Sequence, residues 1–235
     1  MRVELVASTK LESKMPDSLY GNGYTWQGRP VTDADEVAEL AGRGCYLSWD
    51  RPNPKTRENE DYLAHILEVQ HESVLAHATA TFYVEGVSRA LTHELVRSRF
   101  LVFSQESQRY VRPDFQDIAL PPLVMDPDHG DIMDEIIEAY MESLRVYEGI
   151  LDKLKERGVP KKQRQEVARA VLPNCTPTSM TLSGNHRAFR DFIKQRYHVA
   201  ADAEIREFAG ALLKELRVLA PNTYQDIPEK PYGSE

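Results

Sequence analysis

The sequence predicts an α+β fold, with a mixed sheet packed against several helices in one domain over residues 1–235. Three observations carry this. Segments of strand character and segments of helical period both occur, but without the regular alternation of a doubly wound fold. No Gly-rich phosphate loop and no G-x-G-x-x-G is present, so the frame is non-Rossmann. At 235 residues and 41% hydrophobic content, the chain can bury a core and is too apolar for disorder.

The elements follow in order. "MRVELVASTKLESK" reads as a first strand, with no apolar run long enough for a signal peptide. Residues 18–30, rich in Gly and aromatics, read as a loop. Thr32 or Asp33 caps an amphipathic helix that closes near Gly42 or Gly44. "RPNPKTRENE" is a loop, and a helix follows from about Asn59 to Glu72. "ATATFYVEG" alternates and is rich in β-branched and aromatic residues, hence a strand. In "VSRALTHELVR", Val87, Ala90, Leu91 and Leu95 take one side of a helix, while Arg89, His93 and Arg97, four apart, form a polar stripe. "DIALPPLV" is expected to be a strand. From Asp131 to Arg157 the apolar positions step by four and three, giving one long helix stopped by Gly158 and Pro160. A short helix covers about Lys161 to Val171, and "TSMTLSG" reads as a strand. Asn185 caps a helix to about Tyr197, and a last helix spans Asp202 to Leu219. The tail from about 222 to 235 is expected to be extended and frayed.

Charge and composition exclude several classes. A net charge of −8 argues against a protein that wraps nucleic acid, though not against a small anionic ligand in a local positive pocket. No run approaches a membrane span. Cys45 and Cys175 make neither a disulfide framework nor a zinc site, and neither has a histidine beside it to make it a nucleophile. These features together imply a reducing, cytoplasmic setting. In "HESVLAH", His71 and His77 are six apart, whereas a zincin helix needs four, so Glu72 and these histidines make a poor metal site.

The arginines are more informative. No lysine occurs between Lys55 and Lys153, yet Arg89, Arg97, Arg99, Arg109 and Arg112 lie there. Arginine presents a planar fork suited to phosphate or carboxylate. Gln105, Ser107 and Arg109 would share one side of an extended segment. Arg196 lies seven residues after Phe189, so it projects from an apolar face and must meet either an acid or a polar ligand. Arg169 alone reads as a surface residue.

The stretch "SRALTHELVRSRFLVFSQESQRYV" resembles the signature of the flavin-dependent thymidylate synthases: Arg-His-Arg, seven residues, Ser, then Arg-Tyr. Here Arg97, Ser98 and Arg99 precede Ser107, Arg109 and Tyr110. "HESVLAH", "ARAVLPN" and "SGNHRAFRDFIKQR" resemble further blocks of that family, in order, so the resemblance runs from about Glu68 to Ala209. It implies that family's fold. It also implies methylation of dUMP to dTMP, with 5,10-methylenetetrahydrofolate as carbon donor and NADPH as hydride source through FAD. It implies a homotetramer with shared active sites. It assigns dUMP to Glu94, Leu95, Val96, Arg97, Gln105, Glu106, Ser107, Gln108, Arg109, Arg169 and Arg196. Among these, Arg196 is catalytic, set by the uracil to favour ionisation of N3. It assigns flavin to Ser73, Arg97, Ser98, Arg99, Gln105, Asn185, Arg187 and Asp191. Two family histidines are replaced, by Ser98 and by Ala200, with His198 the nearest alternative. The competing readings are a catalytically silent flavin- or nucleotide-binding homologue and a metal-dependent phosphohydrolase using His71, Glu72 and His77.

Overall fold

The computed structural model describes residues 1–12, 19, 30–51, 53–113 and 117–234. Most of the loop expected over 18–30 therefore lies outside the described residues. The described elements are β1 (Arg2–Ser8), α1 (Asp33–Tyr46), α2 (Asn59–Glu68), β2 (Thr79–Ser88), α3 (Arg89–Leu95), β3 (Val102–Gln105), α4 (Gly130–Glu156), α5 (Lys161–Ala168), β4 (Pro177–Asn185), α6 (His186–Arg196) and α7 (Ala203–Leu219). The fold is α+β. The strands form one sheet in the order β1-β2-β4-β3, antiparallel at every pairing.

One face of the sheet makes the core. Alternate residues Ala80, Phe82 and Val84 of β2 and Met180 and Leu182 of β4 are buried against α6 and α7. Phe189 meets Phe82 edge-on at 5.6 Å between ring centroids, and Phe192 meets Phe208 at 5.8 Å. The opposite face carries Thr81 and Ser183, whose hydroxyls bond at 2.9 Å, and the exposed Tyr83. At the bulge between Glu85 and Val87 the chain adopts φ 69° at Gly86, a conformation in which a Cβ would be strained.

Three sequence expectations are corrected. "DIALPPLV" contains no strand: residues 122–125 form a single 3-10 turn, because Pro121 and Pro122 lack the N–H groups a ladder needs. The helix at 59 ends at Glu68, and a separate 3-10 turn covers Glu72–Ala76. The tail is packed rather than frayed. Thr223, Tyr224 and Ile227 are buried, and Tyr232 N–H donates to the Tyr197 carbonyl at 2.9 Å. Its anchor is the Asp35 carboxylate, which accepts from Asn222 N, Thr223 N and Thr223 Oγ1.

Candidate functional site

The site begins with how α3 is fixed. Ser88 caps it by accepting from Leu91 N at 2.9 Å. The Glu204 carboxylate, from α7, in turn accepts from Ser88 N and Oγ. The first N–H groups of α3, those of Arg89 and Ala90, donate to the carbonyls of Thr176 and Asn174. Leu91, Thr92 and Leu95 are buried, so α3 turns Arg89, His93 and Glu94 outward. Leu95 is 0% exposed, which leaves only its backbone for any ligand.

After α3 the chain turns at Arg97, Ser98 and Arg99 and enters β3. Leu101 pins this turn to β4 by packing over Gly184, where an added Cβ would stand 2.5 Å from Leu101 Cδ2. The result is a cleft of about 260 Å3 lined by Arg97, Ser98, Arg99, Phe100, Asp191 and Gln195, among others. Four of the residues expected at flavin thus gather there. Arg187 stands exposed one helical turn before Asp191. Asn185 is the cap of α6 and accepts from Ala188 N at 2.8 Å. Ser73 sits exposed in the 72–76 turn, which is tied to α6 through Glu72. Neither Arg97 nor Arg99 forms an ion pair among the described residues, and Phe100 is 70% exposed. Unpaired forks beside exposed apolar surface fit a group that carries a pyrophosphate and a ring system.

A second cluster collects other expected residues. Arg89 Nη2 donates to the Glu106 carbonyl at 2.8 Å. Burial pulls the Arg89 pKa below its ordinary value; Glu106 opposes this, and the nearby Arg169 adds to it. Two cations are therefore held close together. Strand β3 ends at Gln105, and Ser107 accepts the backbone N–H groups of Tyr110 and Val111 in a turn, so Gln105, Ser107 and Arg109 do not share one strand side as an extended segment would. In that turn Arg109 lies 3.5 Å from Glu166 and stacks on Tyr110. Gln105 spends its amide on Thr92 Oγ1 and Thr178 Oγ1, away from the cleft. Sequence reasoning left Arg89 out of the site. The available signal was its place eight residues before Arg97 on the same stripe.

Arg196 meets an acid: its Nη1 lies 2.8 Å from Glu94 Oε2, with both side chains partly exposed. The buried cation of α6 is instead Arg190, at 0% exposure, paired with Asp226 at 2.7 Å and with Glu72 at 3.5 Å. Glu72 also binds Lys194 at 2.7 Å, so it is committed to cations, and no group of three or more His, Cys, Asp or Glu with metal-holding geometry occurs among the described residues. His198 turns toward the C-terminal segment, where it bridges to Tyr232. A cavity of about 720 Å3 beside the open sheet face takes only Glu106 from the expected set.

The sequence profile of the thymidylate synthase complementing protein family (Thy1) matches residues 30–222. The chain is 52% identical over 236 residues to a probable flavin-dependent thymidylate synthase of Mycobacterium phage D29, covering 99% of both chains. It is 49% identical over 252 residues to the corresponding protein of Mycobacterium phage L5, covering 99% of this chain and 100% of that one. It is 42% identical over 235 residues to a flavin-dependent thymidylate synthase of Mycobacteroides abscessus, covering 97% and 90%.

Proposed function

The chain belongs to the thymidylate synthase complementing protein family, that of the flavin-dependent thymidylate synthases, and from this premise we propose that it methylates dUMP reductively to dTMP. The carbon comes from 5,10-methylenetetrahydrofolate. FAD, when bound, passes on hydride taken from NADPH. The observation that carries the reading is the set of arginines that pair with no carboxylate, in an acidic chain, around residues the family motif singles out.

Arg97, Ser98, Arg99, Arg187 and Asp191 hold the flavin, with Asn185 and Ser73 at the edge. Arg109 holds the dUMP phosphate, Arg169 adds a second cation for the nucleotide, and Ser107 lies near the uracil. Arg196 faces the uracil and favours negative charge at N3, which raises electron density at the methyl-accepting carbon. Glu94 fixes the Arg196 guanidinium, so the cation is already oriented when the base arrives. No step needs a cysteine nucleophile. Arg89 and Arg169 lie close together and neither lines the cleft around Arg97, which favours a homotetramer whose sites join parts of several subunits. The first half of α4, with the half-exposed Ile132 and Met141, offers it an apolar contact.

Release of tritium from dUMP labelled at C5, with NADPH, methylenetetrahydrofolate and FAD present, tests the activity. Arg196→Ala is expected to abolish release while flavin stays bound. No release from the wild-type protein with flavin bound would turn the reading to a silent binder.

A further inference from the structure

We propose that the cleft between α4 and α5 is a binding site for a dianionic phosphate group, apart from the residues assigned to flavin and nucleotide. The cleft holds about 160 Å3, below the range of pockets that enclose a drug-sized ligand and suited to a phosphate or the phosphate end of a larger molecule. Its lining includes Arg112, Lys155, Lys161 and Arg164, with Asp152 the one acid among the lining residues and Gln165 at the base. Arg112 is partly neutralised by Glu148 at 3.3 Å. Lys155, Lys161 and Arg164 have no ion pair among the described residues. The local balance is therefore positive in a chain of net charge −8.

Two buried groups point to a ligand. Gln165 is 2% exposed, and apart from its side-chain contact with the Tyr147 hydroxyl behind it, its Nε2 has no acceptor among the described residues. Arg164 Nε is buried and likewise without an acceptor. Donors left unpaired in a cavity rimmed by cations are a standing cost that an anion removes. The start of α5 adds to this. Pro160 precedes the helix and gives no side-chain cap, so first-turn N–H groups and the positive end of the helix remain open beside Lys161. Two guanidinium forks and two ammonium groups suit a phosphate better than a single carboxylate.

Titration calorimetry with inorganic phosphate, at ionic strength held constant with sodium chloride, tests this on the full-length protein. Wild-type protein is expected to bind phosphate saturably. The K161A/R164A double variant should lose at least tenfold in affinity, Arg164→Lys should fall between, and Arg169→Ala should keep the site. Circular dichroism identical to wild type excludes misfolding. Equal affinity in the double variant, or a response that only tracks ionic strength, would overturn the proposal. The source is then read from binding of NADPH and NADH: a double variant that loses only its preference for NADPH assigns the cofactor's extra phosphate, and an unchanged preference assigns free phosphate.

Discussion

Arg97 lines the cleft and Arg190 sits in α6 next in sequence to the lining residue Asp191, yet the fold treats the two arginines oppositely. Arg190 is completely buried and surrounded by acceptors from Asp226, Glu72 and the Thr223 carbonyl. Burial acts against its charge, but these partners outweigh it and its pKa is raised. Arg43 in α1 is similar: at 2% exposure it bonds Glu39 and backbone carbonyls of the 48–57 segment. Arg97, Arg99 and Arg169 stand exposed with no carboxylate, and Arg89 forms no ion pair among the described residues, with the Glu106 carbonyl as its acceptor and the charges of Glu106 and Arg169 acting on it in opposite senses. The first set holds the C-terminal segment and α1 in place. The second set is kept free, and a free fork in an acidic chain is available for an anionic ligand.

The comparison is broken most forcefully at Arg190. Arg190→Ala strands Asp226 and frees the C-terminal segment, and should cost about 3–5 kcal/mol in urea unfolding. If the loss is under about 1 kcal/mol, Arg190 is no anchor. Next comes pH. His186, buried beside Tyr224, has its pKa pushed down to about 4 by burial, from 6.5. The unfolded chain therefore binds more protons between these values, and stability falls as pH drops below 6.5 toward 4. The drop from pH 7 to pH 5 should be about 2 kcal/mol. His186→Gln should flatten that slope. Asp226, which burial alone would raise, is held low by Arg190, so its contribution disappears only as pH falls below its ordinary 3.8. Gly184→Ala should cost about 1–3 kcal/mol by pushing on Leu101. Its sharper effect should be weaker flavin binding, because Leu101 anchors the Arg97–Arg99 turn.

Much of this was legible in the sequence. The four-and-three spacing of Tyr140, Leu144, Tyr147 and Leu151 gave α4, and these are its buried residues. Asn185 was readable as a cap. The inward arginine of α6 was not. Spacing from Phe189 pointed to Arg196, but α6 is buried on two sides, by the sheet and by the C-terminal segment, so His186 and Arg190 are interior as well. One helix's periodicity cannot show a second layer. The packed tail escaped notice because Asp35, which holds Thr223, lies 188 residues away in sequence. At the site, motif spacing placed Arg97 with Arg99, the family resemblance added Asp191, and the fold brings all three to one cleft. The gathering of Arg89 with Arg169 likewise depends on the "LPNCT" segment docking on the start of α3.

The most direct measurement is a visible absorbance spectrum of the protein mixed with FAD and desalted, for wild type and for R97A/R99A. Both substitutions are at exposed positions, so the double variant should unfold within about 0.5 kcal/mol of wild type. Wild type is expected to retain flavin bands that shift on adding dUMP, and the variant to lose them with its fold intact. A variant that keeps the flavin as firmly as wild type would contradict the claim that these arginines are left unpaired for an anionic ligand.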